Sequence, residues 1–265
     1  MRAFYGPALW ITQSFSPQEP RLSPRAARIA SMNFSAIRAS SALGKCLRAP
    51  LKLIPKDAAL PVLQGPLRGR LWIAGSSNHG CWLGSYEYRV QRSIDRAIPV
   101  GGMVWDIGAN VGFYSLLAAR KACQVVSVEP LAANAVLLRK HLALNHVDNV
   151  EVLEMAVWRE STTLRFTSHG SLSHIDETGQ LVVRTITLDD MLARFGPPAL
   201  IKMDVEGAEY DALRGAERCL REAHPIIFLA ADHDEAIRNS CRGLLHSANY
   251  QADEIGPGQF FCQPA

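Results

Sequence analysis

The chain has 265 residues, 48% of them apolar, with no run of 18 consecutive apolar residues; it can bury a full core and shows no membrane-spanning segment. Its net charge of +3 is unevenly placed, because residues 1–56 hold nine Lys or Arg against Glu19 alone and residues 57–265 are left at −5. A nucleic-acid enzyme tends to carry its positive charge on the folded body, where it tracks phosphates, so this balance excludes a nucleic-acid partner from our reading and favours a small or neutral substrate.

Residues 1–31 contain four prolines, scattered Ser and Arg and no sustained period, and are expected to be a disordered tail. Their Arg- and Ser-rich, acid-poor composition also suits a transit peptide, and Met32 suits an initiator that would make them an over-extended reading frame. Residues 32–100 are read as a weakly helical basic segment (33–48) followed by an N-terminal cap. The cap is expected to hold two short strands, Leu71 to Ala74 and Cys81 to Leu83, then a helix with Tyr86, Val90, Ile94 and Ala97 on one face, ended by Pro99, Gly101 and Gly102. Trp72, Trp82, Tyr86 and Tyr88 are read as cap core rather than as a substrate platform.

From 101 to 265 strand and helix patterns alternate. Strands are predicted at 103–107, 124–128, 150–156, 199–204 and 225–230, and helices at 112–121, 131–145, 188–194, 206–222 and 234–248. This is the pattern of an α/β fold with a doubly wound, mostly parallel sheet. Two segments depart from it: TTLRF (162–166) and LVVRTI (181–186) suggest an inserted hairpin, and YQADEIGPGQFFCQ suggests an antiparallel C-terminal hairpin at the sheet edge. The six cysteines lack metal-knuckle spacing; Cys123 and Cys219 are read as small buried hydrophobes, and all six as reduced thiols in a cytoplasmic setting.

The first constellation is VWDIGANVGFYS (104–115), a buried strand that runs into a turn holding Gly108 and Gly112 before Phe113 and Leu116 resume the apolar pattern. Ligands of open α/β sheets lie beyond the carboxyl ends of the strands, so the two glycines are read as removing side chains where the backbone nears one. A dinucleotide fingerprint starting at Gly108 needs glycine at 110 and 113 to admit a pyrophosphate; the chain has Asn110 and Phe113, and Asp106 would repel that group. S-adenosylmethionine carries instead an amino-acid tail and a sulfonium, and Asp106 can meet the tail's ammonium directly or through water. Glu129 ends the second strand, 21 residues after Gly108, where an acid accepts both hydroxyls of a ribose. The plain alternatives are that Asp106 caps a helix and that Glu129 sits in solvent. Asp106, Gly108, Asn110, Gly112 and Glu129 are assigned to the donor site.

The second constellation is LIKMDVEGAEYDAL (200–213). Strand alternation puts Lys202 and Asp204 on one face, and a buried lysine needs partners, so a Lys202, Asp204, Glu206 charge cluster is expected. Glu209 is read as favouring a helix N-terminus. The third is FLAADHDEA (228–236), whose Asp232, His233 and Asp234 open onto the same crevice; His233 is a proton acceptor there, or a surface residue beside an aspartate N-cap. Asp204, His233 and Glu206 are the candidate catalytic groups. Asp204 with Asp232 or His233 offers too few ligands for a metal site to be assigned.

These motifs, DIGANVGFYS, VEP with Asn134, TITLDD and IKMDVEGAEYDALRGA, together with the lead-in HGCWLGSYE, resemble the FkbM family of S-adenosylmethionine-dependent methyltransferases over about residues 50 to 250. The resemblance implies a class I, Rossmann-like methyltransferase fold and O-methylation of a hydroxyl on a sugar, glycan or natural product. Many relatives carry Glu near the end of the strand that here reads IIFLAAD, where this chain has Ala230 and Ala231. Two other readings stand beside this one: a catalytically idle S-adenosylmethionine-binding partner protein, and a nicotinamide-dependent oxidoreductase. Oligomeric state leaves no signal in the sequence.

Overall fold

The computed structural model describes residues 51, 53–169, 172–175, 181–232 and 234–265. The expected tail (1–31), the basic segment (33–48) and His233 lie outside them.

The cap opens with an unanticipated strand, β1 (Ala59–Pro61), which pairs antiparallel with β2 (Leu71–Ile73). Residues 81–83 are not the expected strand but part of a helical turn, α1 (Gly80–Leu83). Local chemistry decides this: Asn78 Oδ1 accepts the Gly80 N–H at 2.9 Å, and Gly84, at φ +76°, ends the turn in the left-handed conformation that glycine alone adopts freely. Helix α2 (Tyr88–Ala97) follows and buries Gln91 and Ile94.

Next come β3 (Met103–Ile107), α3 (Phe113–Ala119), β4 (Gln124–Val128), α4 (Ala132–Leu144) and β5 (Val150–Leu153). The predicted strand 150–156 is thus shorter, and Ala156–Val157 form β6, which joins a separate sheet. That sheet holds β7 (Thr163–His169), β8 (Leu172–Ile175) and β9 (Leu181–Ile186); β7 and β9 are the expected hairpin strands, with β8 added on the outer edge. Helix α5 (Leu188–Phe195), β10 (Leu200–Met203) and α6 (Glu209–Arg214) lead to a short π-helix at Cys219–Ala223, so the predicted helix 206–222 is broken at Gly215. The chain closes with β11 (Ile226–Ala230), α7 (Glu235–Ser247), β12 (Tyr250–Gly256) and β13 (Gln259–Pro264).

The main sheet has the order β12-β13-β11-β10-β3-β4-β5, parallel from β11 to β5 and antiparallel across the C-terminal hairpin. Period-two alternation divides its core. Val104, Val125, Leu200 and Phe228 pack with α3, α4 and the cap, whereas Trp105, Ile107, Val126, Ile201, Met203 and Ile227 pack with α5, α6 and α7. From β3 the chain builds β4 and β5 on one side and then crosses over to build β10 and β11 on the other, so a crevice opens at the carboxyl ends of β3, β4 and β10.

The cap is fastened to α4 by polar contacts in a dry setting. His141 is fully buried; its Nδ1 donates to the Val111 carbonyl (2.8 Å), which leaves Nε2 to accept the Ile73 N–H (3.1 Å). Asn145 pairs with both the N–H and the carbonyl of Leu71 at 2.8 Å, and Trp72 stacks on the His141 ring with centroids 3.9 Å apart. Trp72 and Trp82 are cap core as expected. Of the cysteines, Cys81, Cys219, Cys241 and Cys262 are buried free thiols, while Cys123 is exposed, contrary to expectation, because it precedes β4 in the turn after α3. Among the described residues no helix is long and apolar enough to cross a membrane.

Candidate functional site

The turn after β3 is thin because the protein itself presses on it. Gly108 sits at φ +73°, and a Cβ there would lie 1.8 Å from the Asp204 carbonyl oxygen at the end of the neighbouring strand. Gly112 sits at φ +92°, with the Leu138 side chain of α4 2.8 Å from the same construction. The sequence reading sets both glycines where they clear room for a ligand; in the fold Gly108 lines the crevice and its bareness is also required by Asp204, while Gly112 lies outside the crevice lining and lets α3 pack on α4.

Beyond Gly108 the turn is tied to β4. The N–H groups of Gly108 and Ala109 both donate to the Val128 carbonyl at 3.0 Å. Asn110, left-handed at φ +49°, directs its N–H to Glu129 Oε2 at 2.8 Å. Glu129 Oε1 accepts from the Leu131 N–H (3.0 Å) and Asn134 Nδ2 (3.2 Å), so the carboxylate is held at the crevice wall and not in open solvent. Burial pushes its carboxyl above the usual range, and these hydrogen bonds oppose the rise.

Across the crevice stands the charge cluster. In the register of β3 and β10, Lys202 lies beside Asp106, and their side chains share the cap-facing side of the sheet. Lys202 Nζ donates to the Gly108 carbonyl at 3.0 Å, lies 3.6 Å from Asp204 Oδ2 and 3.7 Å from Asp106 Oδ1, and hangs 5.3 Å from the centre of the Tyr114 ring. Burial opposes its charge, yet the carboxylates of Asp204, Asp106 and Glu87 outweigh burial and hold the ammonium above its ordinary pKa. Asp106 is 1% exposed and does not line the crevice; Ser115 Oγ donates to its Oδ2 at 2.6 Å, backed by Ser127 at 2.9 Å, and its Oδ1 has no hydrogen bond. Its burial raises the pKa against the pull of Lys202. Asp106 is therefore the ammonium's inner partner, one layer behind the wall where the sequence reading set it.

Asp204 and Glu206 both line the crevice, as expected for groups at the end of a central strand. Glu206 adopts φ +56° and Gly207 φ +103°, a sharp turn fixed by the buried carboxylate of Glu209, which accepts from the N–H groups of Val205 (3.1 Å) and Gly207 (3.0 Å). Glu209 thus favours the start of α6, as read, and also shapes the loop before it. On the next strand end, Asp234 is the N-cap of α7, accepting from Ala236 and Ile237, and Asp232 is exposed and outside the crevice lining. His233 lies outside the described residues.

The crevice encloses about 350 Å³, within the range of small-molecule sites. One half is the Gly108–Asn110 turn, Glu129 and the apolar Leu131, Met155 and Val157; the other is Lys202, Asp204 and Glu206 with Tyr86, Phe113 and Tyr114. A carboxylate pinned beside a bare glycine turn and an apolar shelf fits a nucleoside: the acid suits a ribose diol and the shelf a flat base. Sequence reasoning missed Glu87, Tyr86 and Tyr114. Tyr86 was assigned to the cap core, yet it lines the crevice, and no local pattern joins Glu87 to Tyr114, 27 positions away.

Residues 106–251, more than half of the chain, match the family model described as "Methyltransferase FkbM domain". A curated relative, "Methyltransferase 1" of Beauveria bassiana, is 26% identical over 149 residues, 45% of this chain and 60% of the relative; the chain thus spans less than two thirds of that protein's length. Among solved structures, a methyltransferase FkbM from Methylobacillus flagellatus superposes with a TM-score of 0.47 at 21% identity, over 61% of this chain and 42% of that one. A precorrin-6y C5,15-methyltransferase from Geobacter metallireducens gives 0.45 at 15% identity, over 66% of this chain and 86% of the other.

Proposed function

The chain belongs to the FkbM methyltransferase domain family, whose cofactor is S-adenosylmethionine, and from that premise we propose that it methylates a hydroxyl on a sugar, glycan or natural product. The observation that carries the reading is that one crevice joins the pinned Glu129 and glycine turn to the carboxylates of Asp204 and Glu206. When bound, the cofactor supplies an electrophilic methyl on a sulfonium. Glu129 holds the ribose diol, the Gly108–Asn110 turn supports the nucleoside, and Lys202 pairs with Asp204 beside the acceptor, where the aspartate orients the hydroxyl for in-line attack. The wall carries Glu129, Asp204 and Glu206 against Lys202, an arrangement that supports a neutral acceptor over a polyanion such as RNA.

The test is incubation with S-adenosylmethionine labelled in its methyl group and with fractionated small molecules and glycans of the source cell. Label on a hydroxyl oxygen, with S-adenosylhomocysteine released in equal amount, is the expected result. Label on nitrogen or carbon overturns the O-methylation reading, label on RNA overturns the neutral-acceptor reading, and intact S-adenosylhomocysteine binding with no transfer marks an idle donor-binding protein. Asp204→Asn is expected to keep donor affinity and to lower turnover by about 10² or more.

A further inference from the structure

Glu87 closes the lead-in motif HGCWLGSYE and has no part in the function as described so far. It occupies the N-cap position of α2 in the left-handed conformation, φ +41° and ψ 45°, which costs energy for any residue with a Cβ. Its carboxylate makes no capping hydrogen bond; it turns inward and accepts the hydroxyl proton of Tyr114. Tyr114 is nearly buried, on α3, and lines the crevice next to Lys202 and Asp204. A second, smaller cavity behind the cluster is walled by Glu87, Tyr114, Lys202 and Asp204 together. A strained backbone that gives up a cap in order to bury an acid against a crevice-lining phenol is the mark of a working group.

We propose, resting on the methyl-transfer reading, that the proton of the acceptor hydroxyl leaves through Tyr114 to Glu87. As the acceptor oxygen forms its bond to the methyl and the carbon–sulfur bond breaks, the acceptor O–H proton passes to the Tyr114 oxygen while the Tyr114 proton passes to the Glu87 carboxylate. The sulfonium's positive charge ends as the proton on Glu87, so charge balances and no tyrosinate forms. Asp204 stays paired with Lys202 and orients the acceptor. Tyr114 is the catalytic residue of this route, and Glu87, acting through it, is the positioning residue that stores the proton.

The charged and titratable groups facing Glu87 are Tyr114 from α3, Lys202 from β10, Asp204 at its end, Tyr86 next in the chain and Cys81 of α1. Burial raises the Glu87 carboxyl above its ordinary range, opposed by the Tyr114 hydroxyl and Lys202, which suits it to receive a proton. Phenol burial raises Tyr114 further still, which keeps its hydroxyl neutral.

The experiment measures S-adenosylhomocysteine release from S-adenosylmethionine and source-cell extract against pH, for the full-length protein, Glu87→Gln, Tyr114→Phe and the double variant, with S-adenosylhomocysteine affinity by calorimetry. Both single variants should lose about 10² in rate at unchanged donor affinity, the double variant no more than either, and the rise of rate with pH that tracks Glu87 ionisation should vanish in Glu87→Gln. An unaltered pH limb in Glu87→Gln, or multiplicative losses in the double variant, overturns the route. Should a variant fail to fold, carbon-13 NMR of wild type labelled at Glu and Tyr decides: Glu87 titrating above the ordinary glutamate range, with the Tyr114 ring shifting in step, supports the route, and an ordinary titration of Glu87 or an unresponsive Tyr114 ring overturns it. Absence of any transfer by the wild type would instead refute the methyl-transfer reading, a result distinct from either.

Discussion

The two halves of the crevice are held by different physics. The proposed donor half is fixed by backbone geometry: glycine at positive φ, amide-to-carbonyl bonds from the turn to β4, and a carboxylate satisfied by groups at positions 110, 131 and 134. The proposed acceptor half is fixed by charge, with one ammonium shared by Asp106 from β3, Asp204 after β10 and Glu87 from the cap. Shape-held parts depend on short stretches of chain. Charge-held parts depend on segments far apart in sequence meeting correctly.

The sharpest way to break this contrast is Lys202→Met. It leaves the buried Asp106 without its cation and should cost about 3–5 kcal/mol in urea unfolding at neutral pH. Asp106 already has a raised pKa, so in the variant it takes a proton more readily still, and the deficit should shrink as pH falls. A variant of wild-type stability at all pH values would show that the cluster is not what holds the acceptor half.

Gly108→Ala tests the shape-held half. The added methyl meets the Asp204 carbonyl at positive φ, so the turn or the strand end must move; we expect a loss of about 2–3 kcal/mol of stability and weakened S-adenosylhomocysteine binding together. Loss of binding at full stability would mean that the glycine serves the ligand alone. That was the purpose read from the sequence, and the two measurements separate it from the packing role.

The smallest effect concerns the cap clamp. Burial lowers the pKa of His141 from 6.5, so the folded state takes its proton less readily than the unfolded state. Its contribution is complete above that value, declines as pH falls below it and is lost as pH passes the lower folded-state pKa, where a protonated Nε2 can no longer accept the Ile73 N–H. Wild type should therefore lose about 1 kcal/mol more than His141→Asn between pH 7 and 5, as measured by denaturant titration. Parallel pH profiles would remove His141 from the account.

The same contrast explains what could be read in advance. Strands 103–107 and 124–128 were legible to the residue, because apolar runs bounded by turn residues specify a buried parallel strand locally. Glu129 and Asp204 were legible as strand-end acids for the same reason. The helix at 80–83 was missed because its apolar run, Cys81 to Leu83, is equally strand-like, and Asn78 and Gly84 decide the matter only through cap geometry. Asp106 was placed at the wall because alternation gives its face but not its depth. Glu87 was invisible as a partner of Lys202, since their meeting requires the cap to dock on α4 through His141 and Asn145, contacts 68 to 75 positions apart.

Lys202 touches both halves at once, through the Gly108 carbonyl on one side and Asp204 on the other. A single ammonium with two masters makes the halves thermodynamically inseparable. Any preference that an acceptor imposes on the position of Lys202 is transmitted to the donor turn, and linkage requires the reverse effect to have the same size. Whatever factor a bound acceptor multiplies into donor affinity, a bound donor multiplies into acceptor affinity, so the order in which the two arrive can change the rate of assembly but not the stability of the ternary complex.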